Sequence, residues 1–127
     1  MRYLPLIFLF LLLAACSGPT PEELASLAAK GYYEHLLHGE YDGFLEGKCG
    51  ADSLPDDYRE QLLTAYKQFM YQQEQVHHGI REVRIANAKT DTIQNYTNVF
   101  LVLCFGDSTN EEVVVPMVEN HGRWRMK

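Results

Sequence analysis

Positive charge is scarce in this chain. Its 127 residues carry 11 Lys and Arg against 17 Asp and Glu, a formal net charge of −6. A nucleic-acid surface needs a basic patch to neutralise phosphates, so this balance excludes nucleic acid as a partner class. The acid is spread along the chain and forms no acidic tail. Long hydrophobic runs are missing too. The apolar run near the start, Tyr3 to Ala15, is 13 residues long, short of the roughly 20 that a transmembrane helix needs. Cysteine is limited to Cys16, Cys49 and Cys104. No internal repeat and no low-complexity block interrupts the chain.

What the start does contain is ordered. Met1-Arg2-Tyr3 puts one positive charge before "LPLIFLFLLLAA". A charged start, a short apolar core and small residues at its end describe a secretory signal. Leu13-Ala14-Ala15-Cys16 then resembles the lipobox of bacterial lipoproteins: Leu, two small residues and a Cys. The resemblance implies removal of residues 1–15 and a diacylglyceryl thioether on Cys16, whose new amine is often acylated. Acyl chains contribute about 0.8 kcal/mol per buried CH₂, and two or more on one residue anchor stably. Ser17 after the Cys, by the usual lipoprotein sorting pattern, points to the outer membrane. Loss of Arg2 leaves 10 basic against 17 acidic residues, a mature charge of 10 − 17 = −7.

Residues 16–21 then form a lipidated tether, and 22–127 suffice for one modest core. With Cys16 lipidated, Cys49 and Cys104 remain as an even pair in an exported protein, where disulfides persist. A bridge would close a 56-residue loop, worth about 4 kcal/mol in the chain-entropy picture. Two separate thiols, with Cys104 a buried strand residue, are the alternative.

Thr20-Pro21-Glu22-Glu23 has the cap, the first-turn proline and the capping-box acid of a helix start. Leu24, Leu27, Ala28, Tyr32, His35 and Leu36 follow near one face, and Gly39 marks the stop. "EYDGFLEG" predicts a shorter helix with Tyr41, Phe44 and Leu45 on one side, followed by a loop holding Cys49. Ser53-Leu54-Pro55-Asp56 repeats the capping-box spacing and opens a longer helix. Its stripe is Tyr58, Leu62, Ala65, Tyr66, Phe69, Met70 and Val76, and it ends at His77-His78-Gly79. Strands follow: "IREVRIANA" alternates, "NYTNVFLVLCFG" is apolar on both faces from Val99 to Phe105, and "EEVVVPMVE" contains Pro116, which requires an edge or a bulge. "RWRMK" closes the chain. Helices followed by an antiparallel meander is an α+β order. Strands apolar on both faces need a second cover, and a homodimer through the outer sheet face would supply it.

Four segments, "YYEHLLHGEYDGFL" (32–45), "GIREVRIANA" (79–88), "VFLVLCFGD" (99–107) and "ENHGRWRMK" (119–127), together resemble small bacterial lipoproteins of the nuclear transport factor 2-like superfamily, many of them in uncharacterised families. The resemblance implies a cystatin-like cone, with N-terminal helices packed in a curved antiparallel sheet. The superfamily holds ketosteroid isomerases, polyketide cyclases and dehydratases alongside non-catalytic binding modules, so fold does not settle function.

An isomerase or dehydratase using the cone would need an Asp, His or Tyr dyad in an apolar cavity. Tyr32, Tyr33, His35, Asp42 and Tyr66 are the residues of the right type, and none matches the isomerases' base and oxyanion donors position by position. His35 and His38 share a helix face and His77-His78 do not. No third ligand stands at a telling spacing, so neither a metal nor another cofactor is expected. The reading that fits better is a non-catalytic binding or protein-interaction module. In it a small apolar or amphipathic ligand enters the open end of the cone, lined by Tyr33, Tyr41, Phe100 or Trp124.

Overall fold

The computed structural model describes residues 18–127. The expected signal segment 1–15, the expected lipidation at Cys16, and Ser17 lie outside the described residues. Helix α1 (Pro21–Leu37) begins as the sequence requires, with the Thr20 hydroxyl accepting from the Glu23 N–H at 3.2 Å and Pro21 in the first turn. Helix α2 (Tyr41–Glu46), a 3₁₀ turn (Ala51–Ser53) and helix α3 (Asp56–His77) follow. Four strands complete the chain: β1 (Ile80–Asp91), β2 (Tyr96–Phe105), β3 (Asn110–Asn120) and β4 (Arg123–Met126). They form one antiparallel sheet in the order β1-β2-β3-β4. Register shifts at Ile80/Glu82 and Ile85/Asn87 mark bulges in β1, the device by which a strand bends. Among the described residues no helix is long and apolar enough to cross a membrane.

The inner sheet face carries Thr97, Val99, Leu101, Leu103, Phe105, Val115 and Met117, all buried. Helix α1 meets this face with Ala25, Ser26 and Ala29, while Leu24 and Leu27 point outward at 41% and 63% exposure. This corrects the expected stripe. Small residues let the helix axis approach the sheet, and the leucines one turn away are left on the rim. The start of α3 is a second correction. Ser53 belongs to the 3₁₀ turn, and Pro55 occupies the cap position with no side-chain hydrogen bond. Its end is as read: His78 (φ 60°) and Gly79 (φ 84°) are left-handed and stop the helix.

On the outer sheet face β2 does not present a fully buried apolar surface. Its residues alternate strictly, the inward ones buried and Tyr96, Asn98, Phe100, Val102 and Cys104 half-buried. Glu82 and Arg84 pair across this face at 3.1 Å, and the Lys127 ammonium sits 4.7 Å over the Tyr96 ring.

The expected Cys49–Cys104 bridge is not formed; both thiols are free. The register explains why. The Cys49 N–H donates to the Met126 carbonyl, Met126 pairs with Met117, and Met117 pairs with Thr97. Cys104 lies seven residues further along β2, roughly 24 Å at the rise of a strand, whereas a disulfide spans Cα atoms no more than about 7 Å apart.

Candidate functional site

Strand β4 is only four residues long and pairs with β3 from Met117 to Asn120. Beyond Met117, β3 loses that partner. Pro116 stands at this point, where the sequence required an edge, and the Lys127 N–H donates to its carbonyl at 2.8 Å. The loop after α2 is stitched to β4 by a parallel bridge between Lys48 and Met126 and by the Met126 N–H donating to the Gly47 carbonyl at 2.7 Å. Gly47 is required there. A Cβ at this position would come within 2.5 Å of the Tyr32 ring, whose hydroxyl donates to the Trp124 carbonyl at 2.7 Å.

These elements surround a cleft of about 210 Å³ at the open part of β3. Tyr33 from α1, Phe44 from α2 and Tyr66 from α3 form one wall. Phe44 is the middle ring, edge-to-face with Tyr33 at 5.3 Å and with Tyr66 at 4.9 Å. Such pairs contribute about 0.5–1.5 kcal/mol each beyond their buried area, so the cluster ties three helices together. Val114, Val115, Pro116 and Met126 make the other wall, and Lys48 and Lys127 complete the lining. Burial, and then the neighbouring Tyr66, pushes the Tyr33 phenol above its ordinary value of 10.0. Tyr66 is raised for the same first reason and then by Tyr58. Both phenols are therefore neutral donors near pH 7. Among the described residues, no side-chain carboxylate, imidazole, thiol or aliphatic hydroxyl lines the cleft.

The sequence candidates separate in space. Tyr33 and Tyr66 line this cleft. Tyr41, half-buried at the start of α2, does not. Phe100 lies on the outer sheet face. Trp124 lines a different, more polar cleft of about 430 Å³ with Tyr96, Glu119 and His121. Asp42 is exposed and bonded to Arg59 of α3 at 3.3 Å. His35 contacts the Glu40 carboxylate at 3.2 Å. His77 reaches Asp107 at 2.9 Å and stacks on Phe105 with ring centroids 4.3 Å apart. No group of three or more metal-ligating side chains occurs among the described residues. Phe44, Lys48 and Lys127 were missed as site residues. The only sequence signal for Phe44 was its place on one face of α2 with Tyr41 and Leu45.

No protein-family profile matches the chain, and no curated protein sequence matches it. Two solved structures are similar in shape. One is a Campylobacter jejuni protein described as an NTF2-like transpeptidase, at 11% identity and TM-score 0.61, covering 77% of this chain and 92% of its own. The other is a SEC-C motif containing protein from Rhodopseudomonas palustris, at 12% identity and TM-score 0.49, covering 87% of this chain and 91% of its own. At such identity a likeness speaks to fold alone. Helices followed by a four-stranded antiparallel sheet, superposable on the Campylobacter protein, give this chain the nuclear transport factor 2-like fold.

Proposed function

We propose that the chain is a lipid-anchored envelope protein whose domain is a non-catalytic binding module, with the cleft at Tyr33, Phe44 and Tyr66 as the ligand seat. The ligand class is small and amphipathic. Its apolar body lies against the rings and Val115, and a negatively charged head meets Lys48. The observation that carries this reading is the lining itself, in which three rings in two edge-to-face pairs meet Val115 and Met126, with Lys48 beside them. Proton abstraction needs a base held in an apolar site, and two phenols with raised pKa values do not supply one. Nothing in the cleft therefore favours the isomerase or dehydratase alternative. The transpeptidase description of the Campylobacter protein is not transferred by fold.

Anchoring rests on Leu13-Ala14-Ala15-Cys16 and on the apolar run before it. Cys16→Ala should move the full chain from the membrane to the soluble fraction of its host; retention in the membrane fraction contradicts the anchor. For the cleft, calorimetric titration of the full chain with 2-naphthoate should show binding that weakens about tenfold in Lys48→Glu, the size of a desolvated charge contact of 1.4 kcal/mol. Equal affinity in the variant removes Lys48 from the site.

A further inference from the structure

The start of α1 and the tips of two hairpins meet at one end of the domain. Pro21 lines the polar cleft of about 430 Å³ with Asn95 and Tyr96 from the β1–β2 hairpin and His121 and Trp124 from the β3–β4 hairpin. Thr90 of β1 is fastened to α1 there, its hydroxyl donating to the Glu22 carboxylate at 2.8 Å. The chain therefore enters the domain at this end. The opposite end carries Gly79, Phe105 and the Asp107 turn. Tyr96 and Phe105 bound β2 and stand 105 − 96 = 9 residues apart, so the two ends are separated by about 30 Å.

Ile93, at the tip of the β1–β2 hairpin, is 93% exposed. The turn is closed without its side chain. The Asp91 carboxylate accepts from the Ile93 and Gln94 N–H groups at 2.9 and 3.1 Å, and the Asp91 carbonyl accepts from the Asn95 N–H at 2.9 Å. Thr92, Gln94 and Asn95 around it are polar. A well-bonded polar turn thus holds one branched apolar side chain out in water. A single exposed apolar residue needs no explanation by itself. This one stands beside two aromatic rings, Tyr96 and Trp124, and beside the point where the chain enters. Tyr and Trp combine an apolar body with a polar tip, which suits the interface of a bilayer. Cys16 and Pro21 are 21 − 16 = 5 residues apart, at most about 16–18 Å of chain. That is shorter than the domain, so an anchored Cys16 holds this end, and not the other, at the membrane.

We infer that this end of the domain is seated on the bilayer that holds the Cys16 lipid, with Ile93 inserted below the head groups and the Tyr96–Trp124 cleft opening onto them. The inference rests on the lipid-anchor reading above. Burying one Ile side chain favours the seated state by only roughly ten- to hundredfold, too little to recruit a free protein. The tether supplies the rest, because it makes the contact intramolecular at roughly millimolar effective concentration. Charge at this end is mixed, Glu22, Asp91 and Glu119 standing with Arg123 and Lys127. The surface recognised is therefore the apolar–polar boundary of a zwitterionic bilayer and not an excess of anionic lipid.

Amide hydrogen exchange of the full lipidated chain on phosphatidylcholine vesicles reads the seating, and flotation of the same sample reads the anchor. The Ile93 and Gln94 amides should exchange at least threefold more slowly in the wild type than in Cys16→Ala, which stays free in the same suspension. Ser108 and Thr109, at the far end, should be unchanged. Ile93→Gln should float as the wild type does and lose the protection. The chain holds one tryptophan, which allows a positional check. Ile93→Trp in a Trp124→Phe background leaves a single indole at the hairpin tip, and lipid brominated on its upper acyl carbons should quench it at least twofold. Val76→Trp in that background, at the end of α3 and 68% exposed, should not be quenched. Flotation without slowed exchange, or with the indole at the tip unquenched, overturns the inference and leaves the anchor standing. Failure of the wild type to float overturns the anchor, and the seating with it. Slowed exchange in Cys16→Ala that grows with its concentration and needs no vesicles would put a second copy on this end and overturn the inference equally.

Discussion

Asp107 fastens the end of α3 to the turn between β2 and β3. Its carboxylate accepts from the Thr109 hydroxyl and backbone N–H and meets His77 at 2.9 Å. These contacts, the Thr109 hydroxyl first, draw its pKa from 3.8 to about 2. A depressed carboxylate contributes stability that is complete above its unfolded value and is lost as pH falls through the folded one. The stability curve of the wild type should therefore decline between about pH 4 and pH 2 in part through Asp107. Asp107→Asn should flatten that segment in urea melts, and an unaltered slope contradicts the contact. The sequence read His77 only as a helix-end residue favoured by the dipole. Its partner 30 residues away was invisible because no local pattern joins a helix terminus to a distant turn. The cysteines failed for the reverse reason. Parity counting paired Cys49 with Cys104, but the register of two long strands sets them at opposite ends of the sheet.

Helices and strands were legible as units because each start and stop carries its own chemistry. Thr20-Pro21 opens α1, Gly39 follows it, and His78-Gly79 ends α3 in the left-handed conformation. Which face a helix buries was less legible. The stripe through Leu24 and Leu27 has helical spacing, but so does the stripe through Ala25, Ala29, Tyr32 and Leu36, and only the sheet chooses between them. The choice has a measurable consequence. Ala29 is fully buried against the sheet, so Ala29→Leu should cost about 1–3 kcal/mol by overpacking. Leu27→Gln, at 63% exposure, should stay within about 0.5 kcal/mol. Urea denaturation with equal m-values separates the two, and a reversed order would put the leucines back in the core.

At the scale of the molecule, the α+β order and the antiparallel meander follow from the sequence, because hydrophobic periodicity changes from 3.6 to 2 at Gly79. The cleft does not. It exists because β4 stops at Met126 while β3 runs on past Pro116, and because three helices each deliver one ring to that gap. Tyr33 was named as a lining residue from its aromatic character, whereas Tyr41, Phe100 and Trp124, chosen on the same ground, lie elsewhere. The lysines were missed because a cation near the chain end and another in a loop share no motif. Nuclear magnetic resonance of the ¹⁵N- and ¹³C-labelled full chain, titrated with 2-naphthoate, tests the binding seat most directly. Shift changes should concentrate on Tyr33, Phe44, Tyr66, Lys48 and Val114–Pro116 and vanish in Tyr66→Ala. Changes centred on Tyr96 and Trp124, or none up to millimolar ligand, would contradict it.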